Sequence, residues 1–321
     1  MDFFTHILMG ILVPIPLLGH VPPETILFIW IMSFLPDLDI ILEPLQKKRN
    51  SYMLSHKAAS HSIIVGLVFT GGISLILNLI FPKISFISTW LGGSIGYSIH
   101  TFLDFFTASK IPIFYPISKK EYRFLADRAV NPLLASFSIV NILIFITLFI
   151  FGANISVYNI LFYVFFSCYM GYFGFKAFIK SHIQHKLPKN HLYIPGIIPI
   201  FYMIYEIQEE KYEINYRLVK RKLLSSKSIE LIQKSYLINS IEMDFFNKAI
   251  EYSKKYRFFY KWNAIIPLFK VEDEFIKVKI ILAEAYSRNI SYTFTIIFNK
   301  KTKEVIKKEE GFISLEEWIN M

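Results

Sequence analysis

His100 and Asp104 stand four residues apart in YSIHTFLDFF, a spacing that sets an imidazole and a carboxylate on one face of a helix. Such a pair can bind one divalent ion together, or the carboxylate can hold the second imidazole nitrogen while the first binds the ion. An i, i+4 His–Asp contact also occurs as plain structure. A second concentration runs from Pro36 to Ser62, PDLDIILEPLQKKRNSYMLSHKAASHS, and puts Asp37, Asp39, His56 and His61 beside strongly apolar segments. Ionisable groups in apolar company are costly and are read first as functional. Asp37 and Asp39, two apart, cannot share a regular helix face. Pro36 is therefore expected to mark a bend or helix end from which both carboxylates turn toward a site; solvated acids at a helix terminus are the plainer alternative. His56 and His61 are five apart, about 140° around a helix, so one is expected in a loop and the other in the first turn of the next helix. Lys57 between them is positioned to counter an anionic substrate.

This inventory of imidazoles and carboxylates contains no cysteine; Cys168, the single one, lies in an apolar run and reads as a small packed hydrophobe. Nitrogen and oxygen donors suit zinc first, then manganese or iron, and a set this large can hold one or two ions. No glycine-rich phosphate loop and no serine or cysteine nucleophile motif is present. His20, His182, His185 and His191 fall outside the grouping.

The elements that must position these residues are membrane helices. The chain has 321 residues, 54% hydrophobic and 19% charged, against roughly 45–50% and 25% in soluble domains. Composition changes after about Phe178, from almost uncharged to rich in Lys and Glu. The expected fold is mainly α: a polytopic helical bundle of about six spans over 1–180, carrying the metal site, with a soluble α+β domain over 190–321. The apolar runs are 3–18, 25–35, 63–81, 86–106, 133–151 and 155–178; the second reaches across a membrane only if its helix continues beyond PDLD. Pro14 and Pro16 would kink or shorten the first. GGSIG in the fourth reads as close helix packing. No removable signal peptide is expected.

Basic residues occupy alternate loops: Lys47, Lys48, Arg49 and Lys57; then Lys110, Lys119, Lys120, Arg123 and Arg128; then Lys176, Lys180, Lys186 and Lys189. The other loops hold only Lys83. The positive-inside rule then predicts a multi-pass protein of the cytoplasmic membrane with both termini in the cytoplasm. On that topology His6, Asp37, Asp39, His56, His61, His100, Asp104 and Asp127 all fall at cytoplasmic helix ends, in one layer of the bundle, where facing helices commonly build cofactor sites. From about His191 the pattern alternates apolar and polar residues, as in half-buried strands. The stretch 240–259 reads as one amphipathic helix, and no internal repeat is evident. The net charge of +10 is accounted for by membrane orientation and anionic lipid; no nucleic-acid motif accompanies it, and no nucleic-acid partner is expected.

MDFFTHILMG at the start, PDLD at 36–39, HKAASHS at 56–62 and HTFLDFFTASK at 100–110 together resemble the membrane-bound metal-dependent hydrolases of bacteria and archaea, the YdjM or inner-membrane hydrolase group. The third motif of that family reads HRG-x-THS, so Lys57, Ala58 and Ser60 stand here for Arg, Gly and Thr. FLADRAVNP is similar to the family's acid-containing segment, with Asp127 as the matching acid. The resemblance implies a helical bundle with a metal site formed by His6, Asp37, Asp39, His56, His61, His100 and Asp104, to which Asp127 is added as a candidate ligand. It also implies hydrolysis, with Asp37 or Asp39 as general base or bridging ligand and Lys57 neutralising a phosphate-like group. A site at headgroup level makes a membrane lipid, a phosphodiester or a related amphiphile the expected substrate class. The rival expectation is a non-enzymatic membrane protein whose cluster binds a structural, sensed or transported ion.

Overall fold

A computed structural model describes residues 1–42, 45, 52–54, 56–225, 227–254, 256, 259, 261–319. Lys47, Lys48 and Arg49, counted among the basic loop residues, lie outside the described residues, as do several positions near the end of the 240–259 stretch. The chain divides into two compact units, Met1–Phe178 and Ile179–Met321.

In the first unit α1 spans Phe3–Leu12 and α2 Pro23–Phe34, the latter continuing without a break into a 3-10 helix over Leu35–Leu42. Then come α3 (Ile63–Ile80), α4 (Phe86–Phe105), α5 (Pro132–Ile150) and α6 (Ile155–Lys186), the last of which runs on from Ile179 into the second unit. The helix does continue beyond PDLD, and it tightens at Leu35, just before Pro36, whose ring cannot donate a helical hydrogen bond. Among the described residues four segments are long and apolar enough to cross a membrane: Pro23–Leu42, Ile63–Ile80, Pro132–Ile150 and Ile155–Lys186. The expected six are not reached, for two reasons. The first apolar run gives a helix of only 10 residues, followed by a 3-10 turn over Ile15–Leu17 at the two prolines. The fourth run does form a 20-residue helix, but glycine, serine, threonine, histidine and aspartate dilute its hydropathy.

Those residues face inward. The buried positions of α4 are Thr89, Gly92, Gly93, Gly96, Tyr97, His100, Thr101, Leu103 and Asp104, a stripe at three- and four-residue intervals. A Cβ on Gly92 would lie 2.5 Å from the Thr25 carbonyl oxygen, and one on Gly96 2.2 Å from that of Ile29. The GGSIG sequence thus lets α4 lie backbone-to-backbone against α2, as small residues do in membrane helices. The outward faces of the bundle are apolar, with Val68, Leu79, Phe149 and Phe178 exposed. Gly96→Val is expected to cost about 1–3 kcal/mol by overpacking and to push His100 away from α2. Thermal unfolding and metal content in detergent read both effects, and Gly72→Val, at a position with nothing within 4 Å, should change neither.

Among its described residues the second unit contains eight strands. β1 (His191–Pro195), β2 (Phe201–Glu209), β3 (Glu213–Lys222) and β4 (Ser228–Leu237) form one antiparallel sheet in that order. β5 (Ile265–Val271), β6 (Phe275–Leu282), β7 (Ile290–Asn299) and β8 (Val305–Ser314) form a second. A helix follows each: α7 (Ile241–Ser253), capped by the Ser240 hydroxyl, and α8 (Glu316–Ile319). The order of four strands and a helix therefore occurs twice, although the sequence shows no repeat; hydrophobic alternation is satisfied by many sequences, so topology can repeat without residue identity. Ile194, Leu218 and Ile232 of the first sheet share one core with Ile266, Leu268 and Ile281 of the second.

Candidate metal centre

Asp2 caps the first turn of α1, its carboxylate accepting from the Thr5 backbone N–H at 2.9 Å, which sets His6 one turn into the helix. Gly10, where a Cβ would meet the Ser33 side chain at 1.9 Å, lets α1 cross close to α2 and brings His6 to the end of that helix. There the 3-10 continuation carries Asp37 and Asp39. His100 and Asp104 come from the last turns of α4, with His100 Nε2 3.7 Å from Asp104 Oδ2. His61 ends a 3-10 turn over Ala59–His61. Ser62 then caps α3, so both His56 and His61 precede that helix, and His61 is not in its first turn as the spacing suggested.

These residues meet in one buried cluster. His6 Nε2 lies 3.7 Å from Asp37 and 3.5 Å from Asp104. His61 Nε2 lies 3.5 Å from Asp37, 3.0 Å from Asp104 Oδ2 and 3.0 Å from His100 Nε2. The His6 and His100 rings stack at 3.9 Å. Two overlapping groups have ligand atoms all within 4.8 Å of one another: His6, Asp37, His100 and Asp104, and Asp37, His56 and His61. Asp37 is common to both.

The donor chemistry fits a cation. His100 Nδ1 lies 2.9 Å from the Ser33 carbonyl oxygen and as its N–H donor leaves the Nε2 lone pair pointing into the cluster. His61 Nδ1 is held by Ser60 Oγ at 3.0 Å and by Asp39 at 3.5 Å, which turns its Nε2 inward as well. With both Nδ1 atoms as the N–H donors, the two Nε2 lone pairs face each other at 3.0 Å and repel unless a proton or a metal cation lies between them. Both nitrogens of His6, Asp37 Oδ1 and Asp104 Oδ2 are buried with no hydrogen-bond partner, and each such atom costs about 1–3 kcal/mol unless something satisfies it. Asp104 Oδ1 already draws two cations, Lys57 Nζ at 2.8 Å and the α-amino group of Met1.

Asp39 has a different environment from Asp37. Its carboxylate is held by His56 Nδ1, by the Ser60 hydroxyl and by the Lys57 backbone N–H at 3.1 Å. It belongs to neither ligand group; it orients His56 and His61 and is saturated in doing so. Lys57 adopts a left-handed backbone, φ 57°, a conformation that costs a non-glycine residue about 1–2 kcal/mol. That turn aims its N–H at Asp39 and its ammonium at Asp104, so the ammonium is buried in the cluster rather than presented to solvent. The Ser33 carbonyl and Tyr97, whose hydroxyl donates to the Ser60 carbonyl, are not among the residues the sequence marks, and Ser60 is marked there only as the counterpart of the family's Thr. Tyr97 stands three residues before His100 on the same helix face, which is a signal the spacing carries.

Asp127 stands apart. Its carboxylate accepts from Tyr172 OH at 2.6 Å, from Asn131 at 3.1 Å and from the Arg128 backbone N–H at 2.8 Å, and it pairs with Lys176 Nζ at 3.0 Å. Asn131 in turn caps α5, so Asp127 ties that helix start to α6 and is not in either ligand group. Lys176, counted from sequence as a charge after the last span, is only 1% exposed and lies within α6. A buried aspartate facing it removes the need for water, which hydropathy alone does not register.

A family model described as YdjM inner membrane protein matches residues 1–181, a segment that contains every residue of the cluster. Over 128 residues the chain is 30% identical to "Uncharacterized protein YfhP" of Bacillus subtilis (strain 168), covering 37% of this chain and 38% of that protein. The chain thus matches well under half the length of this curated relative. No solved structure matches the chain. With more than half of its length inside the family model, and with the apolar helices that a membrane location requires, the chain belongs to the YdjM inner membrane protein family.

Proposed function

We propose that the protein is a metal-dependent hydrolase working at the cytoplasmic face of the membrane on a phosphodiester or related lipid-like substrate. The observation that carries this reading is the convergence of bare, buried ligand atoms on His6, Asp37 and Asp104 beside a rim formed by Asp37, Asp39 and His56, whose side chains keep 9–17% exposure. Lys57, Lys110, Lys119, Lys120, Arg123 and Arg128 lie in the segments next to the cluster's helix ends, against Lys83 alone in the α3–α4 link. This asymmetry supports a cytoplasmic site and cytoplasmic termini.

Zinc, manganese or iron, one ion or two, supplies Lewis acidity and a more acidic water in such a donor set. His6, His61, His100 and Asp104 would hold it. The Asp37 carboxylate, both partly open and short of hydrogen bonds, would take the proton from the water that attacks phosphorus; as the P–O ester bond breaks, the departing alkoxide takes that proton back from Asp37. Asp39 keeps His56 and His61 aimed, and Lys57 offsets negative charge next to Asp104. The complete burial of His6, His61, His100 and Asp104 favours a second reading, a closed structural or sensing ion site, because catalytic sites keep an open position.

Purified, metal-loaded protein assayed on bis(4-nitrophenyl) phosphate and on phospholipid vesicles separates the two. The hydrolase reading expects turnover that chelation abolishes, metal restores and His61→Ala lacks. Stoichiometric metal with no turnover on either substrate supports the second.

A further inference from the structure

In the second unit, the end of the first sheet carries apolar and basic residues that none of the unit's described residues covers. The loop between β1 and β2 presents Ile198 and Ile200, and the loop between β3 and β4 presents Leu224, which is 90% exposed. The two loops are neighbours: Leu223 N–H donates to the Ile200 carbonyl at 2.9 Å, and Phe201 pairs with Lys222 across the strands. Lys220, Arg221, Lys222 and Lys227 surround them, all exposed. Among the described residues none of the four is paired with a carboxylate. Lys220 lies over the Phe201 ring at 4.9 Å.

Ile179 and Ile183, the continuation of α6 within this unit, pack with Tyr193, Tyr202 and Leu223. Leu223 immediately precedes the exposed Leu224, so the patch is anchored to residues that directly follow the apolar stretch of α6.

We infer that this sheet end is a membrane-docking surface, with Ile198, Ile200 and Leu224 entering the interfacial region and Lys220, Arg221, Lys222 and Lys227 engaging anionic phospholipid headgroups. Exposed apolar tips ringed by cations match an anionic bilayer surface, where apolar burial and headgroup attraction add. A nucleic acid would use the cations but not the aliphatic tips. Because α6 tethers the unit to the bilayer, the contact is intramolecular in effect, and a patch too weak to recruit a free protein can still fix the domain.

The test uses the full-length protein in nanodiscs, with Cys168→Ser and an environment-sensitive fluorophore on Ser225→Cys. Lipid-borne doxyl quenchers are expected to quench the label about two-fold more in discs containing phosphatidylglycerol than in discs of phosphatidylcholine alone, because cations near the surface are attracted to anionic lipid. High salt and the triple variant K220E/R221E/K222E should each remove the difference. Quenching independent of lipid charge or of the triple variant overturns the inference, as does a response to single-stranded RNA without lipid quenching.

Discussion

Alanine in place of His61 or Asp37 is expected to strip the metal from the purified protein, while Asp39→Asn leaves it bound with affinity weakened about 10–100-fold. The difference follows from what each side chain touches. His61 Nε2 lies within 3.0–3.5 Å of His100, Asp104 and Asp37, and Asp37 belongs to both ligand groups. Removing either deletes a ligand and leaves the remaining buried donors facing one another. Asp39 instead holds His56, Ser60 and the Lys57 N–H, and asparagine keeps the shape but weakens that grip. Elemental analysis of the purified variants, followed by chelator competition, reads both outcomes. Unchanged metal content in both alanine variants would dismiss the site, and full loss of metal in Asp39→Asn would make Asp39 a ligand.

The second large effect is expected at Asp127 and Lys176. Lys176→Met takes from the buried Asp127 carboxylate the ammonium that pairs with it at 3.0 Å, and Asp127→Asn takes from the buried Lys176 ammonium its carboxylate; each is expected to cost about 3–5 kcal/mol. The double variant should recover much of that loss, because a neutral Asn–Met pair escapes the desolvation that the ion pair bears. Thermal unfolding in detergent measures the stabilities. Metal content of Asp127→Asn, purified at low temperature, distinguishes a pin between helices from a ligand: it should match the unsubstituted protein. Recovery in the double variant with metal retained assigns Asp127 to the frame. Metal lost in Asp127→Asn alone would return it to the site.

Several features of the site were legible without a structure because they are local or additive. The four-residue interval between His100 and Asp104 is a property of helical backbone and survives whatever the helix packs against. Summed hydropathy identified the membrane half, and alternation identified strands that belong to both of the second unit's sheets. GGSIG announced a close helix contact because a missing Cβ leaves only backbone to approach. The length of the second span was conditional on helix continuing past Pro36, and a 3-10 turn supplied that continuation.

What only tertiary structure decided is which polar residue faces which. Asp37 and Asp39, indistinguishable in PDLD, separate into a member of both candidate ligand groups and a carboxylate engaged by His56 and Ser60, because those two side chains fold back onto one and not the other. Asp127 has the residue type and the helix-end position of a ligand, yet Lys176, 49 residues away, claims it. α4 is a 20-residue helix read from sequence as one more apolar span, yet its small and polar face is what α2 covers. In each case the local pattern sets which groups are available, since spacing and hydropathy are carried by the chain itself. The pairing depends on contacts between segments distant in sequence, whose free energy arises only once packing has excluded water and lipid from between them.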